Sequence, residues 1–354
     1  MKAALVSHNY NPGHYSHLLA NGKLLDEAGI SVRYYWHRQF NHPKRRPFEQ
    51  IITFKDLRLF DENDFFIVWF PSLRALWEML YIRAFGSAQI IYVLHEPFDS
   101  IQAYLAAGFG WMKTFKVSLI SVVNYLLVSL AHKTILPSEN AYSSFKNKYR
   151  YKKPFIKIPL LFDDELSNGK AEQKRLYMAY IGTIAEDHAF DEYLKFVDHA
   201  CRHNLFLDYV FLIATKSTLT TAQQAVVAPH IASQRVVVQQ GTPLSNDEIN
   251  HWYASSVVVW NAYKRSMQSG VLPKAYMFGT PILTSESNQS EFFTDRLHGV
   301  MIEKNYNHQN MALAIDNVIA NFADYSKNCR AFFLSNFHYR SQASTFMSFI
   351  TQPK

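Results

Sequence analysis

The sequence predicts an α/β protein of two domains, each built on a parallel, doubly wound β-sheet. Short apolar runs alternate with helical stretches through most of the chain, which is the pattern of parallel α/β sheets. Runs such as 257–260 are continuously apolar, as expected for strands buried on both faces. The chain has 354 residues, more than one hydrophobic core usually fills. Together these observations favour two globular α/β domains.

In the first half of the chain, strands and helices are predicted to alternate, and the fourth strand ends at the polar pair His95-Glu96. A short strand after Met1-Lys2 leaves no room for a signal peptide, so we expect none. The predicted strands are 3–7, 31–36, 65–69 and 88–94, and the predicted helices are 16–28 and 73–84. Ligands bind at the carboxyl ends of such strands, where the loop 8–15 and His95-Glu96 both fall. A histidine at a strand end is often merely structural, but two histidine-bearing loops at one edge favour a site.

The most apolar segment of the chain is 115–131. A membrane span needs about 20 apolar residues, and this run is shorter and is interrupted by Lys116, serines and Asn124. It is therefore interpreted as a core helix packed against the sheet, followed by a strand and turn at 133–138. Trp111, Met112, Lys113 and Lys116 precede or open this run and are of the types that contact membrane surfaces.

The second half is predicted to repeat the same alternation after a polar linker at 162–174. Predicted domain limits are 1–165 and 175–334, with a C-terminal helix, 335–354, that packs back on the first domain. The predicted strands are 155–161 at the end of the first domain, then 177–181, 208–214, 235–239, 257–260 and 280–284; the predicted helices are 191–204, 245–254, 271–278, 310–322 and 325–334.

Composition and charge narrow the functional classes. Hydrophobic residues make up 48% and charged residues 18%, which fits a globular protein with large cores. The net charge of +7 lies in the first 170 residues, with 21 Lys/Arg against 14 Asp/Glu; the remainder has 15 of each. A basic half suggests an acidic partner such as anionic lipid, a lipid diphosphate or nucleic acid, or else a generically basic surface. The basic and aromatic cluster 146–153 is better explained as a solvated turn than as a nucleic-acid site.

Cysteines and metal-binding patterns give little support for a redox or metal protein. Cys201 and Cys329 are too few for a disulfide framework and lack metal-ligand spacing, so a reducing cytoplasm is expected. The sequence has no Asp-x-Asp pair, no Walker loop and no zinc spacing.

The stretch 257–291 carries the strongest functional pattern. An apolar strand is followed by a polar loop with Lys264 and Arg265, and Ser269-Gly270 then opens a short helix that Gly279 closes. Serine is a good N-cap, and glycine lets a ligand approach the backbone closely. Free amides and the helix dipole at such a start attract anions such as phosphate. An ordinary capped helix packed on a sheet is the alternative.

The stretch 269–285, ending in Gly279-Thr280-Pro281 and a strand, resembles the nucleotide-sugar signature of GT-B glycosyltransferases. It is most similar to the large, mainly retaining family of bacterial surface-polysaccharide enzymes. The two glutamates of that family fall here on Ser266 and Lys274, and the loop glutamate is Glu291. The resemblance implies a GT-B fold, with two Rossmann-like domains facing a central cleft and the C-terminal helix crossing back to the first domain.

The resemblance also assigns roles to individual residues. Gly13 and His14 would contact the acceptor, and His95 and Glu96 would face the reacting sugar. The nucleotide-sugar donor would be bound by residues of the second domain: Gly182, Thr183, Gln240, Thr242, Lys264, Arg265, Ser269, Gly270, Val271, Lys274 and Glu291. Among them, the backbone of residues 269–271 and the charges of Lys264 and Arg265 would stabilise the diphosphate, with Lys274 near the ribose or diphosphate.

The expected function is metal-independent transfer of a sugar from a nucleotide diphosphate sugar, with no further cofactor. The acceptor would be a saccharide or a lipid-linked saccharide in bacterial cell-surface polysaccharide assembly, such as that of lipopolysaccharide or capsule. The protein would be cytoplasmic, with possible peripheral contact to the anionic inner face of the membrane, and without a nucleic-acid partner. The alternatives are a nucleotide-sugar epimerase of the same fold and a non-catalytic membrane- or nucleic-acid-binding protein with a decayed sugar site.

Overall fold

The chain forms two compact units in a computed structural model. The structure describes residues 1–10, 14–40, 60–95, 99–149, 153–166, 174–265, 269–288, 290–303 and 307–353. Unit 1 consists of Met1–Asp163 and Asn336–Lys354, and unit 2 of Asp164–Ser335. The first unit is therefore completed by a segment from the far end of the chain.

Within the described part of unit 1, six parallel strands form one sheet in the order β2-β1-β3-β4-β5-β6. Helices follow the strands, as the alternation predicts. The strands are β1 Lys2–Ser7, β2 Ser31–Trp36, β3 Phe65–Trp69, β4 Gln89–Val93, β5 Lys133–Leu136 and β6 Phe155–Lys157; the helices are α1 Tyr15–Glu27, α2 Leu73–Phe85, α3 Ile101–Ala106, α4 Trp111–Leu130 and α5 Glu139–Lys148.

Unit 2 likewise has a parallel sheet, with the order β12-β11-β10-β7-β8-β9 over its described residues. The strands are β7 Tyr177–Ile181, β8 Val210–Ala214, β9 Val236–Gln239, β10 Ser256–Asn261, β11 Ile282–Ser285 and β12 Gly299–Ile302; the helices are α6 Phe190–Arg202, α7 Thr221–Ala232, α8 Asn246–Ala254, α9 Val271–Met277, α10 His308–Ala320 and α11 Phe322–Phe332. The prediction of two parallel, doubly wound sheets is confirmed.

Side-chain alternation along the strands builds a core on each face of the first sheet. Ala3 and Leu5 of β1 join one apolar cluster, whereas Ala4 and Val6 join the cluster on the opposite face. Successive side chains of a strand point to opposite faces, and helices cover both faces of a parallel sheet. This explains why the strands appear in the sequence as continuous apolar runs.

The C-terminal helix α12, Ala343–Thr351, belongs to unit 1. Phe346, Phe349 and Ile350 lie in the same core cluster as Ala3 and Leu5. From the neighbouring strand β5, the buried Lys133 donates hydrogen bonds to the carbonyls of Phe349, Ile350 and Gln352 at 2.6, 3.3 and 2.6 Å. A cation at a helix C-terminus satisfies carbonyls that the helix itself leaves unpaired.

Helix α4 is the one place where the structure overturns a prediction about the core. Over the described residues, it is the one helix long and apolar enough to cross a membrane, judged by length and composition. The prediction that it is a core helix is wrong. It packs on the sheet along one narrow side only, and most of its large apolar side chains are exposed.

Candidate functional site

Both sheets reverse the direction of winding at one point, and several of the candidate site residues lie there. In unit 1 the chain moves outward from β1 to β2 and then restarts at β3 on the other side of β1. In unit 2 the corresponding reversal lies between β7 and β10. Loops that leave such a pair of strands diverge, and the crevice between them is where ligands bind in doubly wound sheets.

At the reversal in unit 1, three histidines surround Phe70. The ring of His14 stacks on Phe70 with centroids 3.9 Å apart and an interplanar angle of 12°. His95, which follows β4, meets Phe70 edge-on at 5.6 Å, and His17 lies 6.5 Å from His95. His14 and His95 were predicted to share one edge of the sheet, and the structure brings them within 6.2 Å. Their predicted partners Gly13 and Glu96 lie outside the described residues.

Phe70 has an unusual backbone conformation, with φ at +65°. A bulky aromatic residue rarely adopts this left-handed region, because its Cβ crowds the backbone. Strained residues of this kind cluster at functional sites, where surrounding contacts hold them in place. The sequence gives no signal of it, because Phe70 precedes Pro71 and a residue before proline normally has an extended conformation.

Two histidines of this cluster, His17 and His95, are held in their neutral form. Burial lowers the pKa of His17 to about 3, with a further contribution from repulsion by His95. Burial also lowers the pKa of His95 to about 4. Neither ring nitrogen of His17 has a hydrogen-bond partner within the described residues. A neutral imidazole can donate one hydrogen bond and accept another, so this edge suits hydroxyl groups better than anions.

Unit 1 also contains a buried carboxylate with two basic partners, which was not singled out from the sequence. His8, at the end of β1, donates to the Glu78 carboxylate at 2.7 Å, and Arg74 contacts the same carboxylate at 3.2 Å. Glu78 belongs to α2 and its side chain is almost fully buried. The only sequence signal was one acidic residue in a mostly apolar helix, because carboxylates are rarely buried without a partner.

At the reversal in unit 2, Asp187 links the loops that follow β7 and β10. Its buried carboxylate accepts a hydrogen bond from Arg265 at 2.9 Å, and its backbone oxygen accepts one from the amide of Lys264 at 2.8 Å. The predicted diphosphate ligand Arg265 is therefore already paired with a carboxylate. The side chain of Lys264 is exposed.

A second set of contacts in unit 2 connects Thr183 with Ser269. The backbone oxygen of Thr183 accepts hydrogen bonds from Tyr180 at 2.7 Å and from His188 at 2.5 Å. His188 packs edge-on against Tyr263 at 5.0 Å, and the Tyr263 hydroxyl lies 2.7 Å from that of Ser269. The structure therefore brings Thr183 and Ser269 into one network.

Gly182, directly before Thr183, has φ at +147°, a conformation that glycine adopts far more easily than other residues. A Cβ added there would meet no described atom within 4 Å. The glycine is thus required by the backbone conformation, and the space beside it is open.

The start of α9 differs from the prediction in its capping. Gly270 is the N-cap, and its neighbour Ser269 accepts a hydrogen bond from the amide of Val271 at 3.1 Å. That amide is therefore engaged within the protein in this conformation, which does not favour the expected contact of Val271 with a diphosphate.

Lys274 lies in a buried polar cluster. Its ammonium group donates to Glu165 at 2.8 Å, to Asn250 at 2.6 Å and to Asn246 at 3.3 Å. Both asparagines also donate to Glu165, at 2.5 Å each. Burial lowers the pKa of Lys274, and the Glu165 carboxylate opposes that shift. All three N–H groups are used, so this conformation does not favour the expected contact of Lys274 with a ribose or diphosphate.

The remaining predicted donor residues are spread more widely. The side-chain oxygen of Gln240 accepts a hydrogen bond from the amide of Leu219 at 2.7 Å. Thr242 is exposed beyond the end of β9, two strands from β7, and Glu291 is exposed in the loop before β12. The roles assigned to these residues stay predictions.

The part of the chain that the structure describes contains no preformed metal site. No group of three or more His, Cys, Asp or Glu side chains there is placed to hold a metal ion. Cys201 and Cys329 are both buried and free.

Comparison with solved structures identifies the architecture. HepE from Anabaena, solved with UDP and glucose, aligns over 99% of each chain with a TM-score of 0.69 and 13% sequence identity. Sucrose-phosphate synthase from Thermosynechococcus elongatus aligns over 98% of each chain, with a TM-score of 0.65 and 13% identity. The chain has the GT-B glycosyltransferase fold.

A third similar structure is WaaG, a glycosyltransferase involved in lipopolysaccharide biosynthesis. It aligns over the full length of both chains with a TM-score of 0.66 and 11% identity. No protein-family model and no curated protein matches the sequence. The GT-B likeness is thus carried by the backbone, at sequence identities that establish the fold alone.

Proposed function

We propose that the protein is a glycosyltransferase that moves a sugar from a nucleotide-sugar donor to a saccharide acceptor. The observation that carries the proposal is the network at the β7/β10 reversal of a GT-B fold. There Asp187 fixes the loop that presents the exposed Lys264, beside the open space over Gly182. HepE, which has the same fold, was solved with UDP and glucose, and this makes UDP the first nucleotide to test.

In this proposal the diphosphate lies at the loops that follow β7 and β10. The leaving diphosphate gains negative charge during transfer, and fixed cations and backbone amides stabilise such charge without a metal. Lys264 supplies the mobile positive charge, and the backbone at Thr183, Ser269 and Gly270 supplies polar groups. Arg265 acts differently from Lys264, because its pairing with Asp187 makes it an anchor for the loop.

The acceptor is assigned to unit 1. His95 carries a neutral ring and His14 stacks beside it on Phe70; both rings can bind and orient sugar hydroxyls, and a neutral imidazole at pH 7 can also accept a proton from an attacking hydroxyl. We propose that the acceptor is a lipid-linked saccharide of a bacterial surface polysaccharide. The involvement of WaaG in lipopolysaccharide biosynthesis supports that choice. The buried free thiols of Cys201 and Cys329 support a cytoplasmic location.

The first test is a thermal-shift screen against UDP, GDP, CMP, ADP and TDP. A ligand that binds only the folded state stabilises it by about 2.7 kcal/mol at a hundredfold excess over its dissociation constant. We expect one nucleotide to stabilise the wild type and to bind Lys264→Ala on the order of tenfold more weakly. The matched control is Lys195→Ala, an exposed lysine on α6 that pairs with Glu192.

Stabilisation by no nucleotide would overturn the donor assignment. Equal stabilisation of wild type and Lys264→Ala would remove Lys264 from the site while leaving nucleotide binding intact. With the donor known, incubation with and without a saccharide acceptor separates transfer, which extends the acceptor, from epimerisation, which changes the free nucleotide sugar.

A further inference from the structure

Helix α4 buries polar side chains along much of its length and exposes large apolar ones, unlike an ordinary surface helix. Its polar side chains at 114, 118, 121 and 124 recur every three or four residues and lie on the side that packs against the rest of unit 1. Of these, Thr114 and Asn124 are only 2% and 5% exposed. The opposite side exposes Trp111 by 73%, Phe115 by 64% and Leu119 by 52%. Helices of water-soluble domains normally bury the apolar stripe instead.

The apolar surface continues onto α2, which packs against α4. The outward positions of α2 recur every three or four residues and include Leu73, Trp77 and Leu80, all exposed. Isolated exposed apolar residues are common, but a contiguous patch marks an interaction site. The outward faces of α2 and α4 are named here the apolar platform; its members are Leu73, Trp77, Leu80, Trp111, Met112, Phe115, Leu119, Val122 and Leu126.

Charges around the platform are positive. The sequence has no aspartate or glutamate from 100 to 138, and Lys113 and Lys116 are exposed on α4 beside the apolar stripe. The acidic residue of α2, Glu78, is buried and paired with His8 and Arg74. A basic, aromatic and aliphatic surface without exposed acid matches the interface of an anionic bilayer.

The packing of α4 decides how the helix meets a bilayer. The hydroxyl of Tyr92 in β4 donates to Asn124 at 2.6 Å, and Leu127 and Val128 are buried in the core of unit 1. A helix that crosses the hydrocarbon would have to break these contacts and expose its polar stripe to lipid. A helix that lies flat keeps them and immerses the apolar stripe alone.

We propose that the apolar platform docks unit 1 onto an anionic phospholipid bilayer, with α4 lying in the plane of the interface. Tryptophan side chains and lysines with long apolar stems fit the boundary between headgroups and acyl chains. A second copy of the chain is the less suitable occupant, because a two-fold contact would bring the lysines of both copies to the same small interface. The inference does not depend on the proposed function.

The test is co-sedimentation with vesicles of phosphatidylcholine, with and without phosphatidylglycerol, in the absence of any nucleotide. We expect binding to vesicles that contain phosphatidylglycerol. Leu119→Glu should weaken it on the order of tenfold or more, because it puts a charge among the immersed side chains. The matched control, Leu313→Glu, changes a similarly exposed leucine on α10 of unit 2 and should leave binding unchanged.

Lys116→Gln separates the electrostatic part of the binding. A lysine near an anionic surface contributes about fivefold in affinity, so this variant should lose about that factor and show a weaker dependence on salt. Quenching of tryptophan fluorescence by brominated lipid, reduced in Trp111→Phe, would place α4 at the acyl boundary.

Two results would overturn the proposal. One is equal vesicle binding by wild type and Leu119→Glu, with circular dichroism showing both folded. The other is a dimer in vesicle-free solution that Leu119→Glu dissociates, which would assign the platform to a second copy. Since no nucleotide is present, either result would leave the proposed transfer reaction untouched.

Discussion

Both units have a six-stranded parallel sheet, but the titratable side chains at the reversal of each sheet differ. Unit 1 buries His17 and half-buries His95 as neutral rings at the reversal of its sheet. At the reversal of unit 2, Arg265 is paired with Asp187, and Lys274 of α9 is paired with Glu165. The same type of sheet therefore carries neutral imidazole rings at the reversal in one unit and charged side chains at the reversal in the other.

The comparison shows that chemistry is set by a few side chains at the strand ends. Burial of an ionisable group either neutralises it or requires an opposite charge and hydrogen bonds. Neutral rings leave hydrogen bonds for hydroxyl groups, whereas a paired arginine fixes a loop that presents another cation to an anion. The proposed division of labour between acceptor and donor rests on this difference.

The largest expected effect comes from breaking the charged arrangement in unit 2. Lys274→Met leaves the Glu165 carboxylate buried without its cation, and removing one partner of a buried pair costs about 3 to 5 kcal/mol. Urea unfolding should show a loss of that order. The double variant Lys274→Met with Glu165→Gln removes the uncompensated charge and should recover part of it; no recovery would mean that the cost arises from packing.

The second expected effect is a loss of sugar transfer without a loss of nucleotide binding. His95→Phe keeps a ring against Phe70 and His14 but removes both nitrogens. Removal of an acid–base or orienting group costs on the order of a hundredfold in rate, so sugar transfer should fall by about that factor. The nucleotide-induced thermal shift should remain as in the wild type. A variant that loses nucleotide binding as well would contradict the assignment of His95 to the acceptor edge.

The third effect is the smallest and uses pH. Unfolded His17 binds a proton near its ordinary pKa of about 6.5, whereas the folded pKa is about 3. Between these values the unfolded state binds more protons, so stability is full above about pH 6.5 and falls as the pH is lowered. The loss by about pH 5 should be about 2 kcal/mol.

The pH effect is measured as the difference in unfolding free energy between about pH 7 and about pH 5. His17→Phe should reduce that difference by about the same 2 kcal/mol. An unchanged difference in the variant would show that His17 is not the group responsible.

Much of the fold could be predicted because local pattern and tertiary burial agree. Strands β2, β3 and β7 have the predicted limits, since each is a short run rich in aromatic and aliphatic side chains. The helix start at Ser245 is confirmed by a reciprocal capping box with Glu248. Helix α7 was not predicted; it contains Pro229 and has little amphipathic character.

The site was less predictable, because its contacts join residues far apart in the chain. Arg265 and Asp187 are separated by 78 positions, and Lys274 and Glu165 by 109. No spacing rule links such pairs, so Lys274 was assigned to the donor although it is enclosed by Glu165, Asn246 and Asn250. The prediction of a core helix for α4 failed for another reason. An apolar run in a sequence indicates that the segment avoids water, but it does not indicate whether protein or lipid covers it.

The hydrogen bonds from Lys133 to the end of α12 have a consequence for how the chain folds during synthesis. The residues of unit 2, 164–335, are contiguous and leave the ribosome before 336–354, which complete unit 1. Until then Lys133 lies in the first sheet without the carbonyls that satisfy it. Domains usually fold in order from the N-terminus, but here we expect the second unit to reach its native state first and the first-made unit to wait for the last-made helix.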